Sequence, residues 1–177
     1  MRSVCVFCGS RRGAQPGYQS LAQALGQALV SRGIRLVYGG AGVGLMGWLA
    51  DTVLAGGGQV VGVIPRTLVD RELAHSGLTE LHVVDTLHQR KALMADFADG
   101  FIALPGGVGT LDELFEIITW RVLDLHAKPI GLLDDGIYWE PLTRLLDHMV
   151  DEGFLDLHAR ELVRRDSDPD RLLVSMS

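Results

Sequence analysis

Three carboxylates, Asp112, Glu113 and Glu116, follow directly on a glycine-rich loop in the stretch "LPGGVGTLDELFEIITW". A glycine loop at a helix start suits an anion, because free backbone N–H groups and the positive end of the helix dipole converge there. The carboxylates therefore have two explanations. Thr110 to Glu113 fits a capping box, in which Glu113 turns back to the backbone of the first residue. Alternatively, a substrate held by the loop needs a negative charge beside it.

The loop itself, Pro105 to Thr110, follows the apolar run "GFIAL". Its glycines let the backbone turn tightly and approach a phosphate with no side chain in the way. It is not a P-loop, because the G-K-[ST] ending is absent, so chemistry on a nucleoside triphosphate with magnesium is disfavoured. Beyond the loop, Glu113, Glu116 and Trp120 follow one helical line. Two carboxylates and an indole beside an anion loop suit a cationic transition state next to a flat base.

Two adjacent cations, Arg90 and Lys91, occur in "LHQRKALM", at the start of the helical pattern before that loop. An arginine can hold phosphate or ribose oxygens with a two-pronged pair of hydrogen bonds. The alternative is an ordinary solvated helix turn. His88 beside them has the chemistry of an acid or base near neutral pH, but a surface or cap role is the simpler expectation.

A second glycine motif, "GGAGVGLMG" from Gly39 to Gly47, follows the apolar run "RLVY". Gly42, Gly44 and Gly47 satisfy G-x-G-x-x-G between a strand and a helix, a pattern typical of dinucleotide binding. The full fingerprint also requires an acidic residue at the end of the next strand, but "VVGVIPR" ends in proline and arginine. We therefore expect a glycine turn that permits close approach of a ligand or helix, not an NAD site. A mononucleotide site stays open.

The only two cysteines, Cys5 and Cys8, form a Cys-x-x-Cys pattern that invites a redox or metal interpretation. They lie inside "VCVFC", where a separation of three puts them on opposite faces of a strand. Ligands that point apart make a poor zinc site. Both cysteines are therefore predicted to be buried structural residues.

The composition is that of an ordinary globular protein, with 177 residues, 47% of them hydrophobic and 21% charged, which predicts one domain over residues 1–177. A formal net charge of −6 argues against general nucleic-acid binding, which needs a basic face. No apolar run approaches the roughly 18 residues of a membrane span, and the N-terminus lacks the apolar core of a signal peptide. We expect a cytoplasmic protein with no membrane or nucleic-acid partner.

Short apolar segments alternate with helical patterns along the chain, which predicts a βαβ series. The strand candidates lack a polar face, as expected when helices cover both sides of a parallel sheet. We therefore predict a doubly wound, Rossmann-like α/β fold, whose ligands collect at the carboxyl ends of the strands. The predicted strands are Val4–Cys8, Ile34–Tyr38, Gln59–Ile64, Leu81–Val84, Phe101–Leu104 and Ile130–Leu133, and the predicted helices are Tyr18–Ser31, Leu45–Leu54, Leu87–Phe97, Leu111–Leu125 and Trp139–Glu152. Arg66–Thr79 and the stretch "RRDSDPDR" are predicted to be irregular.

Taken together, "VFCGS", "YGGAGVGLMG", "VIPRTL", "HQRKALM" and "PGGVGTLDELFEIITW" closely resemble the LOG (Lonely Guy) family of cytokinin riboside 5'-monophosphate phosphoribohydrolases. The resemblance runs from about Val4 to Leu146, and its "RK" and "PGGxGTxxE" motifs are specific. It implies hydrolysis of the N-glycosidic bond of AMP or an N6-prenylated AMP, giving free base and ribose 5-phosphate. It also implies a homodimer, and it implies no metal and no cofactor.

The resemblance further implies which residues act. Arg90 and Glu113 match the catalytic pair of the family. The expected substrate-binding residues are Ser10, Gly40, Glu72, Arg90, Lys91, Gly106, Gly107, Val108, Gly109, Thr110, Leu111, Asp112 and Glu116. Asp112 stands where many members have glutamate, and the segment "SRRGAQPGY" departs from the small residues common after the first serine.

For such a substrate, we expect the amides of Gly107, Gly109 and Thr110 to hold the 5'-phosphate and Glu113 to face the ribose. Two other classes stay open. A nucleotide-binding regulator would have the same pocket without turnover, and a phosphoribosyltransferase would need an acidic pair ahead of a phosphate loop, which the sequence lacks. Bacterial family members are often described as lysine decarboxylases. A pyridoxal phosphate enzyme needs a Schiff-base lysine, and Lys91 already belongs to the phosphate-binding motif, so that activity is not expected.

Overall fold

A single parallel sheet forms the centre of the protein. The computed structural model describes residues 1–69 and 73–177, and within these ranges seven strands and eight helices occur. The strands are β1 (Ser3–Phe7), β2 (Arg35–Tyr38), β3 (Val60–Pro65), β4 (Glu80–Val84), β5 (Phe101–Ala103), β6 (Ile130–Leu133) and β7 (Val163–Asp166). The five interior strands are buried almost throughout, whereas the edge strands β4 and β7 are partly exposed. Burial on both faces explains why the interior strands lack a polar alternate face.

The helices cover both faces of this sheet, as the βαβ pattern predicts. They are α1 (Gly17–Ser31), α2 (Gly44–Ala55), α3 (Arg66–Val69), α4 (Leu87–Asp96), α5 (Val108–Val122), α6 (Glu140–Asp151), α7 (Leu157–Glu161) and α8 (Pro169–Ser175). Helices α1, α2 and α8 contribute to one apolar core, and α4, α5 and α6 contribute to the other. The doubly wound α/β fold is therefore confirmed.

The strand order creates the place where a ligand is expected. The order is β4-β3-β2-β1-β5-β6-β7, and all neighbouring strands pair in parallel. The chain builds outward from β1 in one direction as far as β4, and then crosses back to continue from β5 on the other side. The chain after β1 and the chain after β5 consequently lead to helices on opposite faces of the sheet, which leaves a crevice at its carboxyl edge.

The two cysteines fall on opposite sides of the sheet, which confirms the interpretation of the Cys-x-x-Cys pattern. Both are free and buried, Cys5 in the core beneath α4 and α5, and Cys8 in the core beneath α1 and α2. Burial, followed by the nearby charge of Glu113, raises the pKa of each thiol well above its usual value.

Three predictions about the positions of secondary-structure elements were wrong. The segment from Arg66 begins with the short helix α3 instead of irregular chain. The chain after α6 contains α7, β7 and α8, none of which was predicted. Strand β7 was missed because it has charged residues. Arg165 of β7 donates to both oxygens of Asp134 at 3.2 Å, and the carboxylate of Asp134 is fully buried. A buried ion pair of this kind gives a strand no apolar signature.

The third error concerns the helix that follows the glycine-rich loop at residues 105–110, which we call the phosphate-type loop. Helix α5 begins at Val108, one turn earlier than Leu111, and Gly107 is its N-cap residue. Thr110 lies inside the helix and makes no cap hydrogen bond. The capping-box explanation for Glu113 is therefore wrong.

Within the described residues, no helix is long and apolar enough to cross a membrane.

Candidate active site

The crevice at the carboxyl ends of β1 and β5 contains a cavity of about 660 Å³. The loops after these strands are joined where the Gly9 N–H donates to the Pro105 carbonyl at 3.1 Å. The lining comprises Cys8, Gly9, Ser10, Arg11, Gly13, Tyr18, Leu45, Met46, Leu68, Arg90, Pro105, Gly106, Gly107, Val108, Gly109, Thr110, Glu113 and Tyr138. Another cavity, of about 750 Å³, lies at the amino ends of the strands, far from these motifs. Volume alone therefore does not identify the site. The crevice between β1 and β5, where the strand order changes direction, does identify it.

One wall of the cavity is the N-terminus of α5. The first intrahelical hydrogen bond runs from the Leu111 N–H to the Gly107 carbonyl at 3.1 Å, so the amides of residues 108–110 precede the helical ladder. Gly107 has no side chain to cap them, and the dipole of a 15-residue helix adds partial positive charge. This end of the cavity is suited to a phosphate.

A buried ion pair lies beside that helix start. Nη1 of Arg90 on α4 forms an ion pair with Oε1 of Glu113 on α5 at 2.8 Å, and the two side chains are only 14% and 8% exposed. Both residues also line the cavity. An arginine and a carboxylate are thus fixed next to a helix terminus suited to an anion, and together they form the polar part of this site.

Three contacts hold the Arg90 guanidinium in one orientation. Its Nε donates to the Val63 carbonyl at 3.1 Å, and Nη1 is paired with Glu113. Its Nη2 packs against Gly39 so closely that a Cβ at this position would overlap with it. A side chain at Gly39 would therefore displace the guanidinium of Arg90, a constraint that the sequence pattern alone does not reveal.

The carboxyl group of Glu113 is strongly influenced by its surroundings. Burial raises its pKa and is the largest influence, while Arg90 lowers it and the nearby Asp112 raises it, so that the net shift is upward from the ordinary 4.5. Between that value and the raised pKa, the folded state binds a proton that the unfolded state has released. Stability therefore falls as pH rises through this window. A buried carboxylate that costs stability is typical of a functional site.

Lys91, next to Arg90, is engaged elsewhere. Its Nζ lies 3.0 Å from Asp112 and 3.0 Å from Glu116, and its side chain is 10% exposed. Burial lowers the pKa of Lys91, but the neighbouring carboxylates of Glu116 and Asp112 outweigh it and leave the pKa raised. Lys91 thus joins α4 to α5 in parallel with the Arg90–Glu113 pair, and it stays protonated.

The predicted site residues divide into two groups by position. Ser10, Arg90, Glu113 and the loop residues 106–110 line the cavity. Among the described residues, the lining does not include Gly40, Lys91, Leu111, Asp112 or Glu116. Glu72 lies outside the described residues. Gly40 has φ +76° and its carbonyl accepts from the His75 N–H, so it has a structural reason to be glycine.

Sequence reasoning missed two tyrosines in the cavity. Tyr138 follows β6, and its hydroxyl donates to the Gly106 carbonyl, which fixes the phosphate-type loop. Tyr18 of α1 meets the ring of Tyr138 edge-on at 5.7 Å. The adjacent Trp139 N–H donates to buried Asp134 at 2.7 Å, so the ion pair of β7 also anchors this loop. No motif includes Tyr138, because β6 is distant from the glycine loop in sequence, and Tyr18 falls within the helical pattern of α1.

Comparisons with known proteins identify relatives of this chain. A protein-family profile described as "Possible lysine decarboxylase" matches residues 46–176. The cytokinin riboside 5'-monophosphate phosphoribohydrolase of Rhodococcoides fascians is 53% identical over 163 residues, covering 92% of this chain and 82% of that protein. A protein with the same activity name from Arabidopsis thaliana is 51% identical over 162 residues, covering 92% of this chain and 75% of that protein.

A solved structure with a similar fold is the molybdenum cofactor binding protein from Rippkaea orientalis. It superposes with a TM-score of 0.73 at 22% identity, over 98% of this chain and 93% of that chain. At this level of identity the similarity establishes the fold alone.

Proposed function

The chain belongs to the LOG family of cytokinin riboside 5'-monophosphate phosphoribohydrolases, and we propose that it hydrolyses the N-glycosidic bond of adenine nucleotide 5'-monophosphates. Water and the nucleotide give the free base and ribose 5-phosphate. The substrate class is AMP, an N6-prenylated AMP, or both. The observation that carries the proposal is the buried Arg90–Glu113 pair beside the free N-terminus of α5.

In this proposal the 5'-phosphate binds at the start of α5. The amides of residues 108–110 donate to its oxygens, and the glycines around them leave room for it. This register differs from the expected set of Gly107, Gly109 and Thr110 by one residue, because the helix begins at Val108. Fixing the phosphate fixes the ribose at a set distance from Glu113.

Glu113 stabilises the transition state. As the bond between C1' and the base nitrogen breaks, its electron pair goes to the base and the sugar gains oxocarbenium character. A carboxylate already fixed in a water-poor site stabilises that positive charge, and it also orients or deprotonates the attacking water. The pair with Arg90 keeps the carboxylate in position before the substrate arrives. Arg90 also holds the sugar-phosphate from its remaining donors.

The test is chromatographic analysis of products after incubation of the purified protein with AMP and, separately, N6-isopentenyl-AMP. We expect free base and ribose 5-phosphate in equal amounts, without added metal or pyridoxal phosphate. The relative rates report whether the enzyme favours the prenylated nucleotide. Intact nucleotides together with measurable binding would instead support a regulator.

A regulator is the second candidate, and the buried carboxylate argues against it. Burial raises the pKa of Glu113, so keeping this group charged costs stability. A protein that only binds an anionic nucleotide gains nothing from a fixed negative charge beside the ligand. Turnover gives that charge a purpose, because it is the transition state that becomes cationic.

A decarboxylase based on pyridoxal phosphate is not supported by the lysines. Lys91 is held by Asp112 and Glu116, and its raised pKa opposes the neutral amine that a Schiff base requires. Lys128 donates its Nζ to the Ala95 carbonyl at 2.8 Å, away from the cavity lining. The chain has no other lysine.

The pH dependence of kcat/KM follows from Glu113. We expect activity to be lost on acidification through a pKa above 4.5, because burial raises the pKa of the carboxyl group that must be ionised. Asp112→Asn removes a neighbouring charge that raises this pKa, so the acid limb is expected to move to lower pH. Steady-state rates between pH 4 and 8 measure the acid limb of the wild-type protein and that of Asp112→Asn. An acid limb at or below 4.5 in the wild-type protein would contradict this assignment.

We also propose that the protein is a cytoplasmic homodimer. An apolar surface at the end of α5 supports dimerisation, because Val122, Leu123 and Leu125 are 42%, 62% and 68% exposed. Trp48 and Trp120 are half-buried, whereas Met94 is fully buried and is not available to an interface. Light scattering that gives the mass of one 19.2 kDa chain would reject the dimer.

A further inference from the structure

The apolar part of the cavity is built by two separate elements. Leu45 and Met46 come from the start of α2, and Leu68 comes from α3 in the connection between β3 and β4. Strand β3 separates the two elements along the chain. The width of the cavity between them therefore depends on how the β3–β4 connection is fastened to α2 and to the glycine loop before it.

A short ladder fastens the backbone of this connection. The Gly42 N–H donates to the Leu73 carbonyl at 3.0 Å, and the His75 N–H donates to the Gly40 carbonyl at 2.9 Å. Between them, Ala41 and Ala74 form an antiparallel bridge. The Leu73 N–H in turn donates to the Leu68 carbonyl at 3.2 Å, which links the ladder to the cavity wall.

The side chain of His75 adds a link from this ladder to α2. Its Nδ1 accepts a hydrogen bond from the Gly77 N–H at 3.0 Å, so the ring proton is on Nε2. Nε2 then donates to Oδ1 of Asp51 on α2 at 2.9 Å. The His75 side chain is 12% exposed, so the link is mostly shielded from water on the histidine side. Both ring nitrogens are satisfied, and the ring has one defined orientation.

We propose that His75 is a positioning residue for substrate binding: through Asp51 it holds the α3 wall of the cavity against the α2 wall. This inference rests on the proposed function and extends it. A cavity whose walls are held apart at a set distance loses less freedom when the nucleotide binds between them. The part of the nucleotide that meets Leu45, Met46 and Leu68 is the base with its N6 substituent, because the phosphate needs the polar start of α5.

The direct test is His75→Ala, with KM, kcat and the dissociation constant for AMP and N6-isopentenyl-AMP. We expect KM and the dissociation constant to rise about tenfold, comparable to the loss of one hydrogen bond to a charged group, while kcat stays within about twofold. This split is expected because His75 affects binding and not the reacting atoms. His75→Gln keeps a donor near the position of Nε2 and is expected to recover most of the affinity.

A double-mutant cycle tests whether His75 acts through Asp51. We expect Asp51→Ala to raise KM as His75→Ala does, and the double variant to be no worse than either single variant. His82→Ala is the matched control, because His82 also pairs with a carboxylate, Glu80, at 3.3 Å but lies outside the cavity lining. Its KM is expected to match that of the wild-type protein.

Several results would overturn the proposal. An unchanged dissociation constant in His75→Ala would do so, as would additive effects in the double variant. A lower melting temperature with unchanged KM would leave His75 only a structural role. Because equilibrium binding requires no turnover, the cycle remains decisive even if the protein does not cleave the nucleotides, which would count against the proposed function alone.

Discussion

Replacing Glu113 by glutamine is expected to lower kcat by about a hundredfold or more, while AMP still binds. Glutamine has nearly the same shape, and its carbonyl oxygen can take the position of Oε1, which lies 2.8 Å from Arg90 Nη1 in the wild-type protein. The substitution therefore removes the charge and leaves the arrangement of the pair. The loss falls on kcat because the charge matters only when the sugar becomes cationic.

Single-turnover rates and equilibrium binding of AMP separate the two effects. Glu152→Gln is a suitable control, since Glu152 is an exposed glutamate at the end of α6 and outside the cavity lining. We expect that variant to keep its full rate. If Glu113→Gln also kept its full rate, Glu113 would have no catalytic role.

Replacing Gly39 by alanine is expected to lower kcat/KM by about a hundredfold, although Gly39 has no charge and does not line the cavity. A Cβ at this position would overlap with Nη2 of Arg90. Gly39 has no positive φ, so alanine fits its backbone conformation. The overlap with Arg90 is the main conflict, because the next nearest side chain, at the sulfur of Met46, would lie 3.2 Å from the Cβ. The guanidinium has to move, and it then loses its alignment with Glu113 and the substrate.

Gly42→Ala is the matched control from the same loop. A Cβ at Gly42 would lie 3.5 Å from His75, an ordinary contact, and Gly42 also has no positive φ. We expect this variant to keep wild-type kcat/KM. Circular dichroism verifies that both variants are folded at the assay temperature. Equal activity of the two alanine variants would show that Arg90 tolerates displacement, and would exclude it from a precise role.

Much of the architecture was predictable because the fold has a one-dimensional signature. Interior parallel strands are covered on both faces, so they appear as unbroken apolar runs. In the helices between them, apolar residues recur every three to four positions. The same reasoning correctly put Cys5 and Cys8 on opposite faces of the sheet. It failed for β7, where Arg165 pairs with buried Asp134 and charge replaces the apolar pattern.

The candidate site was only partly predictable. The loop at residues 105–110 and the charges of Arg90 and Glu113 stand out in the sequence, and the family resemblance gives them roles that the substitutions above would test. The sequence alone, however, left open a capping box between Thr110 and Glu113. The position of the helix start at Val108 decided against it.

The sequence by itself determined the class of fold, the presence of a helix after the glycine loop and the identity of the two charged candidates, because these depend on local periodicity and residue type. Only the tertiary structure decided their partners. Arg90 meets Glu113 and Gly39, and Lys91 meets Asp112 and Glu116, because the strand order brings α4, the end of β2 and α5 together. Contacts between distant segments depend on that order, and no local pattern encodes them.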